Sequence, residues 1–384
     1  MRKDKENYKL NKNDEVRNLK KEDKIYVNDA NDEIKIIKQN EATRKNDEKN
    51  KEKETLVDND FDEQAIENLD IVDDDNINVS DKMENLNEME IIVKDIVFAE
   101  FSRLIDTIED DFVLNYNKKR YNFLLSQLDE LVTATMVFVS SFESKSGFAI
   151  ERVAERVARV RYGEKNVPSI INPRGLEHNI QAEVVNGQII VTDIDLDHGT
   201  LKGEIAKFRA SNIATGRGKN RKESGVTQES IKELIRIGQE YKIDEIKIKP
   251  VDLAFYDGED WNILELKAGG DLDSSNAPSN IEKLLSIYTG VNVENAKVYF
   301  ATLYNKDGEG NTWTGAVKKH MAYPEMFLIG KDLWNKILPK GISYKRFTEL
   351  YKIALEEIDL NERIKSMIRS ALEWDTVEYL MTIV

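Results

Sequence analysis

Residues 246–269, IKIKPVDLAFYDGEDWNILELKAG, predict the centre of the fold. They indicate two apolar β-strands joined by a turn at Asp257-Gly258, a dipeptide that favours tight turns. Glu265 and Lys267 are separated by one residue on the second strand, so both side chains lie on the same face. Asp252, near the middle of the first strand, can reach that face from the neighbouring strand. Two acids and an amine are therefore predicted to converge.

Two carboxylates and an ammonium arranged in this way are suited to phosphodiester hydrolysis. Asp252 and Glu265 would hold Mg²⁺ through oxygen ligands, and the ion would polarise the phosphoryl oxygen and lower the pKa of a bound water. Lys267 would position that water or help to deprotonate it. Charged groups in apolar strands are costly to bury without a metal or a partner. The alternative is a solvated cross-strand Lys–Glu pair, an ordinary surface feature.

VDLAF and ILELK resemble the two halves of the PD-(D/E)XK nuclease motif, with Val251 in place of the family's proline. The continuation GGDLDSSNAPSNIEKLL resembles type II restriction endonucleases, specifically an ApaLI-like subgroup. The resemblance covers residues 146–330. It implies that the catalytic residues are Asp252, Glu265, Lys267 and Glu151. Glu151 lies on the helix that follows Ser146-Gly147 and would assist metal binding. It also implies a set of metal ligands: Asp252, Glu265 and the backbone of Leu266.

The same resemblance implies an α/β fold of the restriction-endonuclease type, a mixed β-sheet flanked by helices with helical N- and C-terminal additions. It implies a Mg²⁺-dependent type II restriction endonuclease that cuts double-stranded DNA at a short specific sequence and leaves 5′-phosphate ends. Such enzymes commonly act as homodimers on two-fold sites, beside a DNA methyltransferase that protects the host DNA. The alternatives are a structure-specific PD-(D/E)XK nuclease of repair or recombination, and a non-catalytic DNA-binding protein of the same fold.

A basic segment, KFRASNIATGRGKNRK, precedes the two strands at residues 207–222 and contains no acid. Gly216 and Gly218 give its backbone conformational freedom. Such a segment is suited to contacts with DNA phosphates, and its arginines could also read guanine. The alternative is an exposed basic loop. The predicted DNA-binding residues are Lys207, Arg209, Arg217, Lys219, Arg221 and Lys222.

The net charge of -16 argues at first against a nucleic-acid partner. Residues 1–95 contain 18 basic and 28 acidic side chains, so -10 of this charge lies there and only -6 on the remaining 289 residues. Residues 1–85 have too few apolar side chains to form a core, which predicts a disordered acidic extension. A helical region is predicted over 86–145, a nuclease core over 146–330 and a helical cap over 331–384.

The spacing of apolar residues predicts the remaining elements. Two amphipathic helices are expected before residue 145, and a third is expected to end at Gly163. AEVVNGQIIVTDID predicts a β-hairpin around Asn186-Gly187. The order of helices and strands after it favours one central sheet covered by helices.

Composition excludes several other classes of protein. Cysteine is absent, which excludes disulfides and thiol catalysis. His178, His198 and His320 are too dispersed to suggest a histidine-rich metal site. The N-terminal MRKDKENYKL has no apolar leader, and no run approaches the roughly 20 apolar residues of a membrane span. These features predict a cytoplasmic protein without a membrane segment.

Two acidic segments are weaker candidates for function. DIDLDHGTLKGE has the acidic spacing of a Ca²⁺-binding loop, but His198 stands where the loop requires glycine, and a strand precedes the segment in place of a helix. An acidic strand end is therefore the preferred interpretation. Asp271 and Asp273 could approach the metal or recognise cytosine, and loop capping is the alternative.

Overall fold

The computed structural model describes residues 86–383 except 217–219, 270–271 and 273. The predicted extension over residues 1–85 lies outside the described residues, and so do four of the side chains considered above: Arg217, Lys219, Asp271 and Asp273. No described helix is both long enough and apolar enough to cross a bilayer.

The described chain combines helices with short strands. The α-helices are α1 (Glu88–Arg120), α2 (Glu130–Tyr162), α3 (Gly199–Ser211), α4 (Glu233–Gln239), α5 (Ala277–Val291), α6 (Lys331–Ile337), α7 (Tyr344–Glu357) and α8 (Leu360–Ile383). The β-strands are β1 (Ile170–Ile171), β2 (Gln188–Ile194), β3 (Lys242–Val251), β4 (Leu253–Tyr256), β5 (Trp261–Lys267), β6 (Ala296–Thr302) and β7 (Phe327–Ile329).

The N-terminal region is an antiparallel pair of long helices, α1 and α2. Asn87 and Glu90 form a capping box that starts α1, and Gly163, with φ of 85°, ends α2 as predicted. The expectation of three helices is wrong, because the second and third are continuous in α2. The boundary drawn between residues 145 and 146 falls inside this helix.

The strands form two sheets, of orders β1-β2-β3 and β4-β5-β6-β7. The mixed α/β fold with flanking helices and a helical N-terminal region is confirmed, and so is the turn at Asp257-Gly258, because β4 and β5 pair antiparallel from Leu253↔Leu264 to Tyr256↔Trp261. The expectation of one central sheet is wrong, because the strands form two sheets. β3 and β4 follow each other along the chain, but the ladder breaks at Asp252 between them.

The side chain of Gln188 joins the two sheets across this break. Its amide oxygen accepts a 2.7 Å hydrogen bond from the Ala254 N–H, and its nitrogen donates a 2.8 Å bond to the Ala254 carbonyl. The Gln188 side chain is 98% buried. It therefore satisfies the backbone groups that the interrupted ladder would leave without partners.

The predicted hairpin at Asn186-Gly187 is wrong. Gly187 does turn the chain, with φ of 79°, but residues Ala182–Val184 form a 3-10 turn where the first arm was expected. β2 pairs antiparallel with β3 and parallel with β1. β2 thus pairs with the distant strand β3 and not with the preceding segment, residues 182–185. Every residue of β2 is buried in this arrangement.

Two apolar cores lie on opposite faces of the β4-β5 pair. Leu264 and Leu266 belong to the core formed with α1, α2 and the C-terminal helices, whereas Ile263 belongs to the core formed with α3 and α5. This division follows the alternation of side chains along a strand. Glu265 has the parity of Ile263, so it points to the side of the sheet on which α5 packs.

Candidate active site

Asp252 lies at the break between β3 and β4, with a side chain that is 17% exposed. Its Oδ2 accepts a 2.9 Å hydrogen bond from the backbone N–H of Leu266 on β5. Since Asp252 lies outside both ladders, its side chain can take the place of a backbone acceptor opposite β5. The break in the strand thus fixes the carboxylate beside Glu265 and Lys267.

Glu265 and Lys267 lie on the same face of β5, as their spacing predicts. Lys267 Nζ donates a 2.7 Å hydrogen bond to Glu265 Oε1 and lies 3.9 Å from Asp252 Oδ2. Glu265 is only 1% exposed. The solvated cross-strand pair considered as the alternative does not describe this site, because the carboxylate is removed from water.

A fourth charged group, Lys283 on α5, was not expected from the sequence. Its Nζ lies 2.7 Å from Glu265 Oε2 and 3.2 Å from Asp252 Oδ1. Burial acts to lower the pKa of Lys283, but the negative charges of Asp252 and Glu265 outweigh it and raise the pKa, so the ammonium stays charged. One ammonium therefore contacts both predicted metal ligands, which means that the two carboxylates face the same point.

Glu151 enters the site from α2, which packs against β4. Burial raises the pKa of Glu151 to about 7, and the negative charge of Asp252 adds to the effect; Lys267 opposes it. Glu151 therefore lies within electrostatic range of Asp252, Glu265 and Lys267. Glu151 is the member of this group that can hold or release a proton near neutral pH.

The predicted DNA-binding segment is only partly described. Lys207 is exposed on α3, and Arg221 and Lys222 are exposed in the loop that follows. Two backbone hydrogen bonds, of 3.0 and 2.8 Å, join Thr215 to Lys222. Arg221 also lies 3.3 Å from Glu223. The described cations of this segment, Arg221 and Lys222, are thus exposed to solvent.

Arg209 differs from the other described cations because its guanidinium is already paired inside the protein. Its Nε donates a 2.8 Å hydrogen bond to Glu282 on α5, and its Nη1 lies 2.9 Å from His320 Nδ1. Since arginine can only donate, His320 Nδ1 is an acceptor and the ring proton lies on Nε2. Arg209 thus links α3 to the helix that carries Lys283.

His320, which had no assigned role, is buried beside this loop and stays neutral. Burial lowers its pKa to about 4, and the charges of Arg209 and Lys319 contribute. A cavity of about 580 Å³ opens next to it, lined by Gly216, Arg221 and Lys318 among others. A basic concavity therefore adjoins the predicted DNA-binding segment.

The acidic segment DIDLDHGTLKGE is held by ion pairs with the protein. Asp193 lies 2.5 Å from Arg174 and 3.1 Å from Lys242, and Asp197 lies 2.9 Å from Lys249. The segment connects β2 to α3, in agreement with an acidic strand end. These carboxylates are neutralised by basic side chains.

Within the described ranges, no three or more His, Asp or Glu side chains are arranged as a metal site. The predicted donor set requires only two carboxylates and the backbone of Leu266, and its chemistry suits a hard divalent cation. Glu265 Oε2 is buried and receives no hydrogen bond of ordinary geometry. Its ion-pair partner is the Lys283 ammonium, 2.7 Å away, so Oε2 already faces a cation and the residues present fit Mg²⁺.

Residues 198–354 match the family model of the type II restriction endonuclease HinfI. The matched segment is less than half of the chain, and it contains Asp252, Glu265, Lys267 and Lys283 but not Glu151. The match supports a restriction endonuclease family, and hence an enzyme that binds and hydrolyses DNA. No curated protein and no solved structure matches the chain. The ApaLI-like subgroup and the PD-(D/E)XK superfamily remain predictions.

Proposed function

We propose that the protein is a Mg²⁺-dependent type II restriction endonuclease of the PD-(D/E)XK superfamily, which hydrolyses double-stranded DNA at a specific sequence. The single observation that carries this proposal is the convergence of Asp252 and Glu265 on one ammonium beside Lys267. Buried acids that face a common point are costly unless a cation occupies it. The HinfI family match over the same strands supports the same reaction.

Asp252, Glu265 and the backbone of Leu266 would hold Mg²⁺, which when bound would polarise the scissile phosphate and acidify a water ligand. The Leu266 N–H orients Asp252 through Oδ2, which leaves Oδ1 for the cation. Lys267 would orient the attacking water and stabilise the charge that develops on the phosphate. Glu151, with its pKa of about 7, would assist as a group able to take up a proton at neutral pH.

DNA would be held beside these groups by the basic segment over residues 207–222. Lys207, Arg221 and Lys222 are exposed and would contact phosphates, which fix orientation without reading sequence. We propose the same role in phosphate binding for Arg217 and Lys219, because they belong to the same basic segment. Arg209 would contribute by supporting this surface, since its guanidinium is engaged with Glu282 and His320.

By the same family resemblance, the reaction leaves 5′-phosphate and 3′-hydroxyl ends. The enzyme would act in the cytoplasm as a homodimer on two-fold DNA sites, beside a methyltransferase that protects the host DNA. The dimer is open to a direct check by mass measurement at micromolar protein concentration, where a species of twice the 44.2 kDa chain mass is expected.

Digestion of a plasmid of known sequence, with and without Mg²⁺, tests the proposal. We expect discrete bands only with the metal, and sequencing of the ends should reveal one short recurring site with 5′-phosphates. A smear, or cutting only at branched or damaged DNA, would instead indicate the repair or recombination nuclease. Binding of DNA without any cleavage would indicate the non-catalytic protein.

A further inference from the structure

Lys283 lies between the two acids, where a shared divalent cation would contact both. Its Nζ lies 2.7 Å from Glu265 Oε2 and 3.2 Å from Asp252 Oδ1. We propose that Lys283 is an intramolecular counter-ion, which neutralises Asp252 and Glu265 in the metal-free enzyme and must leave before a divalent cation binds. The inference rests on the proposed function, because it assumes that these two residues are the metal ligands.

The need for such a counter-ion follows from burial. Glu265 is 1% exposed and the Asp252 side chain 17% exposed, so water cannot fully screen their mutual repulsion. Lys267 hydrogen-bonds to Glu265 Oε1 but lies 3.9 Å from Asp252. Lys283 contacts the second oxygen of each acid. Without it, the metal-free site would hold two close acids and a single ammonium.

The contact is also of a kind that a metal ion can replace. Lys283 Nζ lies 2.7 Å from Glu265 Oε2, and the attraction between the ammonium and the carboxylate is that of opposite charges, which a metal ion also supplies. The Lys283 side chain is 43% exposed, and its long flexible stem can change rotamer at little cost. A divalent ion brings twice the charge to the same oxygens.

A cavity next to Lys283 can accept its side chain when a metal ion displaces it. Lys283 borders a cavity of about 440 Å³ that runs beside α5 and is lined by two further lysines and by the carboxylates of Asp197 and Glu282. Its ammonium can therefore move away from the acids without a shift of the helix. Lys267 is on β5 and does not line this cavity. The two lysines thus have different roles in the same site.

Binding of Mn²⁺ to the full-length protein without DNA tests this role directly. Free Mn²⁺ is followed by electron paramagnetic resonance for the wild type, Lys283→Met and Lys202→Met. Lys202 lines the same cavity but pairs with Asp197, so its loss controls for a general change in charge. We expect Lys283→Met to bind Mn²⁺ at least about tenfold more tightly than Lys202→Met, because a contacting positive charge has been removed.

A second measurement guards against a variant that folds poorly. In EDTA, Lys283→Met should melt below the wild type, and Mn²⁺ should raise its melting temperature by more than it raises that of the wild type. Lys283→Arg keeps the charge, so its Mn²⁺ affinity should be no higher than that of the wild type. If Lys283→Met does not fold even with Mn²⁺, Lys283→Gln takes its place in the same comparison.

The outcomes separate this inference from the proposed function. Equal Mn²⁺ affinities for Lys283→Met and Lys202→Met, together with clear binding by the wild type, would overturn the counter-ion role and leave the nuclease proposal standing. Absence of Mn²⁺ binding in all of these proteins would overturn both. Tighter binding by Lys283→Met alone, with unchanged behaviour of Lys202→Met, supports the counter-ion.

Discussion

The backbone N–H of Leu266 donates a 2.9 Å hydrogen bond to Asp252 Oδ2, so the acid of one strand is fixed by the strand that carries the other two charged groups. Leu266 lies between Glu265 and Lys267, and its amide therefore sets the position of Asp252 relative to both. The bond depends on the break between β3 and β4 at Asp252. Local backbone geometry thus pre-organises the site before any cation or DNA is bound.

Replacement of Asp252 by Asn should remove the charge of the side chain and keep its hydrogen bond to Leu266. The Asn side-chain oxygen can still accept the bond from Leu266, which keeps the local backbone geometry, but the negative charge that pairs with Lys283 and that a metal ligand needs is lost. We expect cleavage to fall by about a hundredfold or more. Single-turnover cleavage of plasmid DNA measures the rate. Asp244→Asn, at an exposed position on β3, is the matched control and should cut normally; an equal rate for the two variants would argue against the assignment of Asp252.

Glu151 should make the metal-free protein less stable as the pH rises. Its pKa is raised from 4.5 to about 7 in the folded state, so its favourable contribution is complete below pH 4.5 and is lost as the pH rises through 7. Glu151→Gln cannot ionise and should be more stable than the wild type at pH 8, by about 1 kcal/mol after solvent screening. Chemical denaturation in EDTA at pH 5 and pH 8 measures the difference. A stability gap that is the same at both values would contradict the raised pKa.

His320 should produce the opposite pH dependence. Its pKa is lowered from 6.5 to about 4, so its favourable contribution is present above pH 6.5 and is lost as the pH falls towards 4. His320→Gln retains an acceptor for Arg209 but cannot become charged. On acidification from pH 7.5 to pH 4.5, the wild type should lose about 2 kcal/mol more stability than the variant. His178 and His198 remain in both proteins, so a difference that does not change with pH would rule out this titration.

Arg221 and Lys222 should contribute to DNA affinity without reading sequence. Each is exposed, and loss of either should weaken binding to all DNA sequences and reduce the salt dependence of the affinity by about one phosphate contact. Fluorescence anisotropy with a labelled duplex in Ca²⁺, at several salt concentrations, measures this slope. Lys340→Ala, which removes an exposed lysine of the C-terminal region, should leave it unchanged. An unaltered slope for Arg221→Ala and Lys222→Ala would place the DNA elsewhere.

The local part of the site could be predicted from the sequence. Alternation along one strand placed Glu265 and Lys267 together, and the turn at Asp257-Gly258 brought Asp252 opposite them. Both relationships depend on residues fewer than 20 positions apart, joined by a turn with a recognisable dipeptide. The α/β class of the fold followed from the family resemblance, whereas the order of helices and strands favoured one central sheet, and the two observed sheets contradict that expectation.

The non-local part could not be predicted. Lys283 reaches the acids only because α5 packs across the sheet, and its own sequence, NIEKLL, shows no more than a polar position beside an apolar stripe. That position next to the stripe, on the helix directly after β5, is the one available signal. β2 likewise pairs with the distant strand β3 and not with a local partner across the turn at Asn186-Gly187. Tertiary pairing overrode the turn preference in that segment.

The most direct test of the central claim is single-turnover cleavage by Lys267→Ala in Mg²⁺, measured beside its binding to the same DNA. Lys267 hydrogen-bonds to Glu265 and is 28% exposed, so its removal should leave the fold and most of the DNA affinity intact. We predict that cleavage is abolished while the dissociation constant for DNA changes by less than about tenfold. Cleavage at the wild-type rate by this variant would contradict the assignment of Asp252, Glu265 and Lys267 as the centre that cuts DNA.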